Sequence, residues 1–361
     1  MQLGSWLSFY PLTSPKITHI CNMKFFLWIS VITLFAKSGC TSSDSGKPSN
    51  EPLENQIVQI AFYNVENLFD TINEAGKNDG EYTPGGKKAW NTSRYYEKLD
   101  HLNQVLASID SAGELVAFGV AEIENIKVLK DLVNTGFLKD RNYKIVHQES
   151  PDFRGIDVAF LYNSKQIKVN NSQWINVDLQ DSGRTTRDIL RADVTWKNEE
   201  ITFYINHWPS RWGGKEKTNT KRIAASQALR NNIDAMKEEE RNNHLVIMGD
   251  FNDYPNNESM LKILKADSLE TGALYNATWP AHKNESIGSH NYKGHWGMLD
   301  QIVVSNSVVP FVDSVYVFKK NFMCYKNKKG EWLPSRTHAG PKYYGGYSDH
   351  LPVVLRLKSK K

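Results

Sequence analysis

Short β-rich runs are spread along this chain in mixed order, with only two long amphipathic helical stretches among them. That ordering constrains the fold more than any single residue does. The runs are Ile57–Tyr63, Leu115–Ala121, Tyr143–His147, Ile156–Tyr162, Ile189–Trp196, Ile201–Asn206, Leu245–Gly249, Gln301–Ser305, Val312–Phe318 and Pro352–Leu357. Ser93 to Ile109 has helical spacing, with Leu99, Leu102, Val105, Leu106 and Ile109 on one face, and Lys217 to Arg241 turns Ile223, Leu229, Ile233 and Met236 inward. Many strands and few helices predict an α/β fold, a layered sandwich of two mixed β-sheets flanked by helices, rather than alternating βαβ units. No repeat or second linker interrupts residues 57–358, which are expected to form one domain.

The N-terminal part reads differently. Residues 1–39 hold Lys16, Lys24 and Lys37 and no acidic residue, and Met23-Lys24 opens an apolar run to Ala36 that is too short to span a bilayer. This is the pattern of an export signal. Met23 begins a complete signal by itself, so residues 1–22 are expected to lie upstream of the true start. Ser38-Gly39-Cys40 resembles a bacterial lipoprotein processing site, although Lys37 departs from its usual aliphatic residue. The expectation is an exported protein anchored through a lipid on Cys40 to an envelope membrane, the outer membrane or cell surface. Residues 40–56 would be its Ser- and Pro-containing tether.

Removing residues 1–39 lowers Lys plus Arg from 44 to 41 against 40 acidic residues, a net charge of +1. Little whole-body steering toward a polyanion remains, so nucleic-acid binding would need a local patch. Of the three cysteines, Cys21, Cys40 and Cys324, only the last stays unmodified in the domain, so the core and not a disulfide must hold it.

Three acidic turns lie at strand ends: Gly249-Asp250-Phe251-Asn252-Asp253 after an apolar run, and Leu299-Asp300-Gln301 and Ser348-Asp349-His350 before one. Phosphate-ester cleavage needs a hard cation, a positioned water and donors for developing charge. Mg²⁺ prefers a few carboxylates and keeps much of its water, which suits scattered Asp, Glu and Asn at strand ends. Asn64 ends the first run and can offer a carbonyl to metal or an amide to phosphate; a plain turn residue is the alternative. Glu122 ends the second, with Glu124 as rival ligand because alternation puts both on one side. His207 stands in Asn206-His207-Trp208-Pro209-Ser210, beside a local basic cluster of Arg211, Lys215, Lys217, Lys221 and Arg222. That cluster reads equally as a phosphate-binding patch and as a solvated helix start.

In this order, Asn64, Glu122, His207, Asp250 with Asn252, Asp300 and Asp349-His350 resemble the endonuclease/exonuclease/phosphatase superfamily, of deoxyribonuclease-I-like fold. Arg154-Gly155-Ile156-Asp157 and the segment around His207 look like its exported bacterial nuclease-like branch. The resemblance implies Glu122 as principal metal ligand, with Asn64 nearby and Asp300 supporting the site or a second metal. It implies Asp250 as the group that orients or deprotonates the attacking water, and Asn252 as a holder of the phosphoryl group. Asp349 would fix the orientation of His350 or touch the metal, and His350 would donate to the phosphoryl oxygen. His207 would bind a phosphate oxygen or protonate a leaving group. Arg154, Arg187, Ser210 and Arg211 are candidate substrate contacts. The implied cofactor is Mg²⁺, with Mn²⁺ or Ca²⁺ as alternatives. The expected activity is phosphodiester hydrolysis by a monomer, first on extracellular nucleic acid, with a phosphatase or phospholipid phosphodiesterase as the alternative. A non-catalytic lipid-anchored binding protein is the rival from another class.

Overall fold

β1 (Ile57–Leu68) turns Val58, Ile60 and Phe62 to one face and Ala61, Tyr63 and Val65 to the other, and both sets are buried. A strand buried on both faces belongs to a sheet covered on both sides. The computed structural model describes residues 57–179, 185–237, 240, 244–268 and 274–358. The expected export signal, Cys40 and the expected tether lie outside the described residues. No helix among the described residues is long and apolar enough to cross a membrane.

Besides β1, the sheet strands are β2 (Leu115–Ile123), β3 (Tyr143–Val146), β4 (Asp157–Asn163), β5 (Ile167–Ile175), β6 (Ile189–Trp196) and β7 (Glu199–His207). They continue with β8 (His244–Asp250), β9 (Ala266–Asp267), β10 (Leu274–Asn276), β11 (Asp300–Ser305), β12 (Val312–Val317) and β13 (Val353–Lys358). One sheet has the order β12-β13-β1-β2-β4-β3, the other β5-β6-β7-β8-β11-β10-β9. Each is mixed, with β1–β2 and β7–β8 parallel and their outer neighbours antiparallel.

Phe62, Phe160, Phe203, Ile205, Met248 and Val304 are among the side chains that interlock between the two sheets. On the outer face of the first sheet lie α1 (Thr92–Ile109) and α2 (Ile126–Val133), with Leu99, Leu102 and Val105 fully buried. Asn91 caps α1 by accepting from Arg94 N at 3.1 Å. Truncating one of these leucines to Ala would cost about 2–5 kcal/mol. α3 (Asn219–Asp234) and the single π-type turn Ser259–Leu264 cover the second sheet through Ala225, Leu229, Met260 and Leu264. The α/β sandwich of two mixed sheets between helices is therefore as expected.

Two elements had no clear pattern. β5 reads Ile-Lys-Val-Asn-Asn-Ser-Gln-Trp-Ile, carries a bulge between Val169 and Asn171, and pairs only with β6. An edge strand with one partner needs no clean alternation. α2 is short and starts where Asn125 accepts from Lys127 N and Val128 N.

Candidate active site

Strand register assembles the site before any side chain is considered. His207 pairs with Asp250 across parallel β7 and β8, and Asp300 pairs with Asp250 across antiparallel β8 and β11. Asn64 pairs with Ala121, one residue before Glu122, across β1 and β2. The two sheets thus deliver their polar strand ends to one edge of the sandwich. Gly249 allows the close approach of β7 and β8, since a Cβ there would lie 2.4 Å from the Asn206 carbonyl oxygen.

Local backbone shape aims the side chains. Glu66, Asn67, Glu122 and Asn252 all have positive φ, between 50° and 65°. Such conformations cost energy in non-glycine residues and cluster where function requires them. At Glu122 (φ 65°) the twist breaks strand alternation, so Glu124 does not share its direction. Glu124 is buried and accepts from Asp70 N at 2.6 Å, which corrects the expectation that it rivals Glu122.

Asn64 is the hub. Its Nδ2 donates to Glu122 Oε1 (3.2 Å) and Asp250 Oδ2 (3.1 Å), while its Oδ1 accepts from Glu66 N (3.0 Å). Asn64 thus holds two carboxylates together, and its carbonyl oxygen, which accepts once from Glu66 N, keeps a second lone pair. Glu122 is further fixed by Asn67 N at 3.0 Å.

Two histidines face Asp250 Oδ2, His207 Nε2 at 3.8 Å and His350 Nε2 at 3.9 Å. His207 Nε2 also lies 3.9 Å from Glu122 Oε1. Burial, reinforced by Arg187, Arg154 and His350, holds His207 well below the usual histidine value, so it is a neutral imidazole. For His350 burial acts in the same direction, but Asp300, Asp250 and Asp349 outweigh it and hold it well above that value. Burial and the nearby charge of Asp300 push Asp250 up to about 7, partly offset by His350.

His350 Nδ1 bonds Asp300 Oδ2 at 2.6 Å. Asp300 therefore orients His350, and Asp349 does not. Asp349, at a bend, faces Arg336 at 3.6 Å and lines a separate cleft. Asn252 spends one amide hydrogen on Trp208 O (3.0 Å), and its N–H caps Asp250 Oδ1 (2.9 Å).

The arginine candidates divide. Arg187 is buried, pairs with Asp152 at 3.0 Å and donates to the carbonyls of His207 and Trp208, so it braces the His207 turn. Arg211 donates to Asn252 O (2.7 Å) and Asp253 (3.1 Å) and stacks on Tyr254. Arg211 is thus held by its own neighbours, whereas Arg187 braces the turn and also lines the cleft beside Arg154 and Ser210. Arg222, from the basic cluster, is fully buried against Asp253 at 2.8 Å. Arg154 and Ser210 do line a cleft of about 980 Å³, with Lys77 and Trp212.

Supporting residues hold these groups in place. Ser348 Oγ donates to Asn64 O (2.7 Å) and accepts from His350 N (3.0 Å). The His290 ring lies against that of His350, with centroids 4.7 Å apart, and Ser289 Oγ accepts from Asp300 N. Lys98, buried beneath, donates to Thr337 Oγ1 and Tyr347 O.

Asp250, Asp300 and His350 each bring a ligand atom to within 4.8 Å of the others. Asp300 Oδ1 is buried without a partner, and Glu122 shares the Asn64 amide with Asp250. The His350 imidazolium offsets only one charge of Glu122, Asp250 and Asp300, and the remaining carboxylate oxygens fit a hard divalent ion.

A family model described as the Endonuclease/Exonuclease/phosphatase family matches residues 59–359. Curated protein sequences gave no match. Among solved structures, an endonuclease/exonuclease/phosphatase family protein from Bacteroides thetaiotaomicron aligns over 85% of this chain and 100% of its own, with 16% identity and a TM-score of 0.53. A mannosyl-6-phosphatase from Bacteroides thetaiotaomicron aligns over 83% and 99%, with 17% identity and a TM-score of 0.53. D. rerio TDP2, complexed with single strand DNA product, aligns over 84% and 99%, with 14% identity and a TM-score of 0.52. These likenesses concern the fold, whereas the family match spans nearly all the described residues: the chain belongs to the endonuclease/exonuclease/phosphatase family.

Proposed function

We propose that this protein is a divalent-metal-dependent phosphodiester hydrolase acting on nucleic acid. One observation carries the choice of a diester. Two clefts lie next to the turns that carry the two histidines, one of about 980 Å³ lined by Pro209 and Ser210, just after His207, and one of about 720 Å³ lined by Asp349, just before His350. A phosphodiester carries an organic group on each side of phosphorus and needs both; a monoester needs one. Exposed aromatic rings, Phe153 and Trp212 in the first cleft and Tyr292 and Tyr344 in the second, offer faces on which bases stack.

Glu122 and Asp250 would hold the cation, with Asn64 keeping their carboxylates together; when bound, the cation supplies charge neutralisation at the phosphoryl group. Asp250 Oδ2, which both histidines face, is placed to orient an attacking water. His350, kept protonated by Asp300, donates to the phosphoryl oxygen as negative charge grows. His207 is a neutral donor on the opposite side of Asp250. Asp300 holds the proton on His350 Nδ1 and turns its Nε2 toward the site.

The family's phosphatase members and the near-neutral charge support a second reading, a phosphomonoesterase. Export, and anchoring through a lipidated Cys40 as a monomer, complete the proposal for an enzyme that meets nucleic acid outside the cell.

The decisive experiment is Mg²⁺-dependent nicking of supercoiled plasmid by residues 41–361, beside His350→Ala and a panel of phosphomonoesters. Nicking that vanishes in the variant supports the proposal. Turnover of monoesters without nicking replaces it with the phosphatase reading.

A further inference from the structure

A second group of ligand-type side chains sits at the edge of the first sheet, where β3 ends and β4 begins. His147, Glu149 and Asp157 each bring a ligand atom to within 4.8 Å of the others. None belongs to the centre around Asp250.

A backbone contact selects the tautomer of the His147 ring. Its Nδ1 lies 3.2 Å from the carbonyl oxygen of Val158, which can only accept, so Nδ1 carries a hydrogen. In the neutral ring Nε2 then presents a lone pair, and it faces Glu149 Oε1 at 3.2 Å. Two acceptors at that distance require something positive between them. Histidines that ligate metals commonly donate their other N–H to a backbone carbonyl in this way.

Asp157 supplies the independent observation. It is only 1% exposed. Its Oδ1 accepts from both the amide and the hydroxyl of Ser150, while its Oδ2 is buried without a partner. A proton on His147 Nε2 would satisfy Glu149 and leave that oxygen uncompensated. The nearby ammonium of Lys77 is placed at the carbonyl of Ser150, at 3.4 Å.

We propose that His147, Glu149 and Asp157 form a second metal site, for a divalent cation of the Zn²⁺ class. One imidazole with two carboxylates suits that ion better than Mg²⁺, which prefers oxygen alone. Glu149 is exposed, so an open face is left for water. The role is structural. Asp157 pairs with Ile123, the residue after Glu122, and the chain between Glu149 and Asp157 carries Arg154 into the cleft. A cation here would pin that segment to the strand next to Glu122.

The test is Zn²⁺ binding by the full chain after stripping with chelator, measured in excess Mg²⁺ to occupy the oxygen-rich centre. Metal content and Zn²⁺-induced thermal stabilisation are read together. The expected result is one tightly held Zn²⁺ per chain, bound at least about tenfold more weakly in His147→Ala and Glu149→Gln, and retained in Asp250→Asn. Because Glu149 is exposed, Glu149→Gln guards against a variant that simply misfolds. Zn²⁺ lost in Asp250→Asn but kept in Glu149→Gln would overturn the proposal by assigning the ion to the first centre. Absence of Zn²⁺ binding in the wild-type chain would overturn it too, leaving a proton shared between Glu149 and Asp157.

Discussion

His350 and His338 are each 7% exposed, yet their surroundings drive them in opposite directions. His338 lies among the rings of Trp90, Tyr343 and Tyr82, and burial, reinforced by Lys88, pushes it down to about 4. His350 loses as much water, but the Asp300 carboxylate at 2.6 Å, with Asp250 and Asp349, holds it well above its ordinary value. Burial by itself discharges a histidine; a carboxylate in contact decides otherwise. The aromatic box is built for packing, and the acidic centre for a charge kept at a cost.

Removing the charged partner should break this contrast most severely. His350→Ala or Asp250→Ala should lower Mg²⁺-dependent turnover about a hundredfold or more, as loss of a positioned acid or base does. Wild-type rates in both variants would remove the centre from the chemistry. Asp300→Asn keeps the shape but not the charge behind His350. It should cost about tenfold to a hundredfold in kcat with little change in KM, the scale seen when a group orienting a histidine is lost. A change confined to KM would place Asp300 in binding instead.

His338→Phe should leave turnover unaltered and change only the response of stability to acid. The folded state holds His338 at about 4, against 6.5 for the ordinary residue. Between those values the unfolded chain binds more protons, so the wild-type protein loses stability as pH falls from about 6.5 toward 4. Denaturant midpoints at pH 7 and pH 5 should differ less in His338→Phe than in wild type. An equal difference would show that His338 takes up its proton without penalty when folded.

The layers of the fold were legible because apolar alternation is a direct record of which faces are covered. β1, β2, β7 and β8 all lie where their patterns put them, and α1 buries the face its spacing marks. Asn64, Glu122, His207, Asp250, Asp300 and His350 do converge, since each ends or begins a strand at one edge. Partnership within the site was not legible. Adjacency in sequence suggested Asp349 for His350, but a bend at Asp349 turns it toward Arg336 and the start of β11 supplies Asp300 from 50 residues away. Alternation suggested Glu124 beside Glu122, and one positive φ cancels it. Arg187 and Arg211 resembled phosphate clamps because a sequence does not show which carbonyls an arginine will serve.

The hydroxyl of Ser348 joins the carbonyl of Asn64 to the amide of His350, across 286 residues of chain. β13 then inserts between β12 and β1 to close the first sheet. Contacts so distant in sequence form late, because the intervening loop must close first. A nascent chain lacking its last dozen residues would therefore hold Glu122, His207 and Asp250 without the imidazolium they serve. If the proposed hydrolysis is its activity, a chain that stops before His350 would lack the donor to the phosphoryl group, and activity would depend on the segment that leads into β13.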